Sequence, residues 1–151
     1  GLKKFATDEE KKKKEEKDKS MKMSERLNLY KDRQRNNLSE NAYGAIVRLR
    51  MDNSHPLGFG YDKEYLSLKL RNRRYAYLES GWNVGTTQDS TSIVSGFVGF
   101  KAKQNFRESL VFGVEEIGRG SVVYMVDNPL FRGFWYNGKL LFGNAVFLVG
   151  N

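Results

Sequence analysis

Between Gly118 and Tyr136 the chain reads Gly-Arg-Gly-Ser-Val-Val-Tyr-Met-Val-Asp-Asn-Pro-Leu-Phe-Arg-Gly-Phe-Trp-Tyr. Gly118-Arg119-Gly120 predicts a hairpin corner, because glycine reaches positive φ without a Cβ clash. Ser121–Val126 is a nearly continuous apolar run, the pattern of a central strand covered on both faces. Asp127-Asn128-Pro129 ends that strand and predicts a helix start, with Asn128 as N-cap and Pro129 in the first turn. The predicted helix carries Phe131, Phe134 and Trp135, then apolar residues from Leu140 to Leu148. These fall on more than one helical face, so deep burial is expected. Gly138 and Gly143 weaken the helix locally but permit close packing on a sheet.

Upstream, Val47, Leu49 and Met51 alternate with polar residues and predict a strand over 45–52. Residues 53–61 form a turn-rich loop. Tyr65–Leu70 alternates again as a short strand, and Arg74–Leu78 is rich in β-formers. Gly81–Gly85 and the Thr/Ser-rich residues after it predict a loop. Ser92–Gly99 predicts a buried strand, Lys101–Ser109 a polar helical stretch, and Leu110–Ile117 a strand leading into the hairpin corner. Strands mixed with helices, closing on a strand followed by a buried helix, define an α/β layered architecture. The expectation is a mixed β-sheet with flanking helices, occupying residues 41–151.

Residues 1–40 form a charged helical extension or linker. Thr7 and Glu10 fit a capping box. Glu9/Lys13, Glu10/Lys14 and Glu15/Lys19 are spaced to support a helix by a few tenths of a kcal/mol each, on the order of 0.2–0.5. No apolar stripe accompanies them. From Met21 a spacing of Met21, Met23, Leu27, Tyr30 and Leu38 predicts a half-helix that docks on the domain. The formal charge is +8. Residues 1–40 hold thirteen Lys/Arg against nine Asp/Glu, and residues 41–151 hold the same numbers, so each part carries +4. So even a distribution is not the concentrated footprint of a nucleic-acid surface. No apolar run is long enough to span a membrane.

The residue inventory excludes much chemistry. There is no Cys and one His. Thiol nucleophiles, thiolate metal sites and disulfides are unavailable, and a three-ligand catalytic zinc site is hard to assemble. No catalytic or metal-ligating residue is therefore assigned. His55 titrates near neutrality and is a candidate binding residue; the competing reading is a loop histidine that hydrogen-bonds locally before Pro56. Arg132, Trp135 and Tyr136 make a second candidate binding group, a guanidinium beside aromatic rings at a helix N-terminus. Its competing reading is an anchor in which Arg132 pairs with Asp127 or Asp52. Glu115 and Glu116 are adjacent on a strand and point to opposite faces, so they do not converge as an acid/base pair. Ser80 and Ser95 lack the Gly-x-Ser-x-Gly frame of a nucleophile elbow. Gly118-x-Gly120 is not followed by Lys-Ser/Thr and is not a phosphate loop. Arg71, Arg73, Arg74, Tyr75 and Tyr77 form a basic-aromatic stretch suited to an anionic polymer, nucleic acid or envelope glycan.

Five segments together carry a family likeness: His55-Pro-Leu-Gly-Phe-Gly-Tyr61, Ser80-Gly-Trp-Asn-Val-Gly85, Val94-Ser-Gly-Phe-Val-Gly99, Gly113-Val-Glu-Glu-Ile-Gly-Arg-Gly-Ser-Val-Val-Tyr124 and Asp127-Asn-Pro-Leu-Phe-Arg-Gly-Phe-Trp135. Over roughly residues 40–151 the chain resembles the C-terminal region of bacterial zinc carboxypeptidase-like proteins, in which a peptidase domain precedes a domain similar to class I glutamine amidotransferases. The resemblance implies an amidotransferase-like fold and a place at the end of an exported parent, periplasmic or extracellular. The peptidase family's zinc site is a His-x-x-Glu pair with a distant second His. His55 stands in His-Pro-Leu-Gly, so that set does not carry over, and zinc is expected only in the parent's catalytic domain. The amidotransferase nucleophile is a Cys, which this chain lacks. What the resemblance implies is a non-catalytic accessory domain, with the upstream peptidase domain as its partner. Gly1 in place of Met fits a piece of a longer polypeptide. If first strands of the domain lie outside the piece, an open sheet edge would be left, covered by a partner or by homodimerisation.

Overall fold

A ten-residue strand, β1 (Ala42–Met51), organises the larger part of the chain. The computed structural model describes residues 29–88, 92–104 and 106–150, with positions 16, 19, 23 and 27. The chain divides into two compact units, Gly1–Asn37 and Leu38–Asn151. A 3-10 turn at Tyr30–Asp32 runs into α1 (Arg33–Glu40), which crosses the division, and the Arg33 guanidinium lies 5.6 Å from the Tyr30 ring centre. Met23, Leu27 and Tyr30 are exposed. The expected capping box, the Glu–Lys pairs and Met21 fall outside the described residues, apart from Lys19, which is helical and exposed.

In the second unit both edges of β1 are used. One edge pairs with β2 (Glu64–Lys69), from Ala45 opposite Lys69 to Arg50 opposite Glu64. The other edge carries two strands end to end. β3 (Trp82–Thr87) meets Arg50 and Met51, and β4 (Ile93–Val98) continues from Val47 to Ala42. The far edge of β3 pairs with β5 (Ser109–Ile117), which turns into β6 (Gly120–Met125). The order is β2-β1-β3-β5-β6, with β4 on β1. Gly118 at φ +64 opens the hairpin corner, as its sequence requires.

Every pairing among the described residues is antiparallel, which corrects the expectation of a mixed sheet. A parallel neighbour needs a crossover of a dozen or more residues, usually helical. The helix between β4 and β5, α2 (Phe100–Gln104), has only five residues. The sheet curls, and the chain leaving β6 returns to β2: Ser67 Oγ donates to Asp127 Oδ2 at 2.7 Å, and Lys69 Nζ lies 3.2 Å from Asp127 Oδ1. Inside the curl sit Val47, Leu49, Val84, Val111 and Phe112. The Tyr65 ring meets Phe112 edge-on at 5.3 Å. Burial of each large apolar side chain is worth about 1.5–3 kcal/mol.

Four local expectations change. Trp82–Thr87, read as loop, is a strand, because β1 and β5 supply partners on both its edges. Arg74–Leu78 is extended but unpaired as a strand; Tyr75 O accepts from Leu110 N at 2.9 Å, and the Asn83 amide holds both Leu78 N and Leu78 O. β4 is not buried: Val94 and Phe97 are 49% and 51% exposed. β6 is an edge strand with half-buried side chains rather than a central one.

The C-terminal helix changes most. Asn128 Oδ1 accepts from Leu130 N at 2.9 Å, which makes a local turn, not a helix cap. A 3-10 turn follows at Phe131–Gly133, where Arg132 and Gly133 take φ +51 and +72. Two consecutive left-handed residues stop helical growth. Only then does α3 (Asn137–Phe147) begin. It buries Gly138, Leu141 and Asn144 alone, a single narrow stripe, so the expected deep burial is not found. Leu141 enters the core and Ala145 packs against it, and polar groups add to this hold. Asn144 Nδ2 donates to Leu57 O at 3.1 Å and to Phe59 O at 2.7 Å. The Tyr61 hydroxyl accepts from Leu141 N at 2.8 Å and donates to Asn137 O, so it reaches both groups of one i to i−4 rung.

Candidate functional site

The sequence singled out His55, Arg132, Trp135 and Tyr136, and the structure brings only the last two together. His55 precedes the 3-10 turn Pro56–Gly58, and its Nδ1 accepts from Leu57 N at 3.0 Å. That is the local role expected of it. The proton of the neutral ring must therefore sit on Nε2. Burial lowers the His55 pKa, while the Asp52 carboxylate acts the other way. A folded-state pKa below the ordinary 6.5 means the fold binds fewer protons than the unfolded chain. This contribution to stability is fully present above pH 6.5 and is lost as pH falls from there through the folded value. Denaturation midpoints should fall on acidification in that window, and His55→Asn, whose amide oxygen can still accept from Leu57 N, should flatten this part of the profile. An unchanged profile in the variant contradicts the assignment.

Arg132 lies in the left-handed turn before α3, exposed, with its guanidinium 5.1 Å from the Phe131 ring centre. It pairs with neither expected aspartate. Asp127 is held by Lys69 and Ser67, and Asp52 Oδ1 accepts from Ser54 N and Oγ at 3.1 and 2.6 Å. Because α3 starts four residues later than Gly133, the guanidinium is not at its first turn. Trp135 and Tyr136 line a cleft of about 910 Å³ with Asn53, Asp62, Glu64 and Asn137. Lys139 Nζ sits 3.7 Å above the Tyr136 ring. The Trp135 indole N–H and the Tyr65 hydroxyl are both buried and meet only each other, in a contact outside good hydrogen-bond geometry; burial pushes the Tyr65 pKa up and the indole N–H acts the other way.

The carboxylates behave as their strand positions dictate. Glu115 accepts from Ser80 Oγ at 2.6 Å and Tyr124 OH at 2.9 Å, and these bonds lower its pKa. Glu116 instead lines a separate hollow with His55, Trp82 and Arg119. The two do not converge. Among the described residues no three His, Asp or Glu side chains gather as metal ligands, and no helix is long and apolar enough to cross a membrane.

Two features were not anticipated. One is the buried Lys69–Asp127 pair; its signal was the inward register of Tyr65, Ser67 and Lys69, with a lysine on the face that carries the core. The other is the outer face of α3. Leu140, Phe142 and Val146 are about half exposed, and Phe147 is 71% exposed. Leu140 lies against Gly60, beside the exposed Phe59 ring, so the apolar surface extends onto the loop that α3 packs on. No family description, curated protein or solved structure matches this chain.

Proposed function

We propose that this chain is a non-catalytic accessory domain that docks, through the outer face of α3, on the zinc-peptidase domain of the same longer polypeptide. The observation that carries the docking is the exposure of Phe142, Val146 and Phe147 on a helix that turns Gly138, Leu141, Asn144 and the partly buried Ala145 inward. Helices that end a domain normally turn charge to water; α3 has one charged residue, Lys139. The identity of the companion rests on the resemblance of residues 40–151. The amidotransferase-like relationship is proposed as one of ancestry carried by Gly113–Tyr124 and Asp127–Trp135, since an all-antiparallel sheet lends no support to that topology.

The absence of cysteine and the engagement of His55 with its own turn support the lack of catalysis. Purified chain, supplied with zinc, should leave C-terminal peptide and amide substrates at the uncatalysed rate. Turnover at enzymatic rates by this chain alone would end the reading. The coding sequence upstream of Gly1 should encode a His-x-x-Glu pair and a later His.

A further inference from the structure

The segment Arg71–Leu78 and the end of β6 enclose a groove that the docking reading does not use. Two hollows meet there, of about 230 Å³ and 390 Å³. They share Arg73 and Val126. The smaller adds Arg71 and the rim of Asp127; the larger adds Tyr75, Leu78, Leu110 and Met125. One groove thus has a cationic end and an apolar end.

The cationic end is uncompensated among the described residues. The ion pairs among the described residues are Arg48–Glu64, Lys69–Asp127 and Lys101–Glu40. Asp127 is the one acid in the smaller hollow, and its two oxygens are taken by Lys69 and Ser67 beneath. Arg71 and Arg73 therefore line the groove with no ion pair to a carboxylate among the described residues. At the other end the Tyr124 hydroxyl is bonded to the Glu115 carboxylate, so that end is closed by a negative charge. The wall between is held in place: Tyr75 O bonds Leu110 N, and the Asn83 amide clamps Leu78.

We propose that this groove binds a small amphiphilic carboxylate, its head on Arg71 and Arg73 and its alkyl or aryl body along Tyr75, Leu78, Leu110 and Met125. A guanidinium pair suits a carboxylate, which accepts two parallel N–H bonds. The larger hollow is apolar-walled and sized for a small-molecule body. A polyanion fits less well, since it needs positive charge along its whole path, and here the charge reaches no further than Arg73, where the two hollows meet, with Glu115 beyond Tyr124. The inference is independent of the docking reading, because α3 takes no part in the groove.

The test is titration with octanoate, followed by calorimetry and by backbone amide shifts. Controls are 1-octanol, with the same body and no charge, acetate, with the same head and no body, and a twelve-residue oligothymidylate. Octanoate should bind about tenfold or more tighter than octanol or acetate, with shifts at Arg71–Leu78 and Val126. Arg73→Gln and Arg71→Gln should each weaken octanoate about tenfold and leave octanol unchanged. Ala76→Trp should block the apolar end and abolish octanoate binding. All three positions are exposed, so a thermal melt confirms that the fold is kept. Equal affinity for octanoate and octanol, shifts centred on α3, insensitivity to both arginine variants, or preferential binding of the oligothymidylate with a steep salt dependence would each overturn the proposal.

Discussion

Replacing Asp127 by alanine is expected to destabilise the protein by about 3–5 kcal/mol, the range for stranding one partner of a buried ion pair. Lys69 is wholly buried, its Nζ lies 3.2 Å from Asp127 Oδ1 as an ion pair without hydrogen-bond geometry, and the Phe106 ring centre is 5.6 Å away. Without the carboxylate the ammonium faces an aromatic wall and the orphaned Ser67 hydroxyl. The pair also ties the chain after β6 to β2, the two ends of the strand order, so its loss loosens the curl itself. Because the charges are shielded from ions, the loss should be the same at low and high salt. The double variant Lys69→Met/Asp127→Leu should recover most of it, since a well-packed apolar replacement avoids desolvation altogether. Denaturant unfolding of the two single variants and the double variant measures this. An effect of Asp127→Ala under about 0.5 kcal/mol, the scale of an ordinary surface substitution, would show that the pair does not close the sheet. The same change at Arg48–Glu64, about half exposed on both sides, should be nearly silent.

Gly138→Ala should be nearly as damaging, and Gly143→Ala should be mildly stabilising, although the two glycines share one helix. A Cβ at Gly138 would fall on the Pro129 carbonyl oxygen, with the carbonyl carbon at 2.6 Å and Cα at 2.8 Å. These are backbone atoms of a turn fixed by Asn128 and cannot rotate away. α3 would have to lift, straining the bonds from Tyr61 and Asn144, and overpacking costs about 1–3 kcal/mol, with a clash against fixed backbone at the upper end. Nothing lies within 4 Å of a Cβ at Gly143, so alanine there only restores helix propensity, worth about 0.5–1 kcal/mol. Thermal melts of both variants decide it; equal and small effects would mean that the close approach of α3 to Pro129 is not tight.

The contrast between these glycines shows what was legible in the chain. The sequence reading allowed both to serve close packing, because periodicity does not say which side of a helix faces a neighbour. Local chemistry was legible: the alternation of β1 and β2, the corner at Gly118, the divergence of Glu115 and Glu116, and the local hydrogen bond of His55. Each is decided within a few residues. Trp82–Thr87 was not legible, because its Gly/Thr composition is overruled by partners on both edges. α3 was misjudged for a related reason. An apolar helix was expected inside, and apolarity does not distinguish a face buried in its own domain from one reserved for another. Lys69 was invisible because its partner is 58 positions away, and only the curl of the sheet brings Asp127 beneath it.

That reserved face is the central claim, and amide hydrogen exchange along α3 tests it most directly. The comparison is between the isolated chain and the longer polypeptide that the proposal requires, at matched pH and temperature. Amides from Leu140 to Leu148 should exchange markedly more slowly in the longer polypeptide, while amides of β1 and β5, already inside the curled sheet, stay unchanged. Identical exchange along α3 in the two samples would contradict the account, and the exposed phenylalanines would then need another explanation.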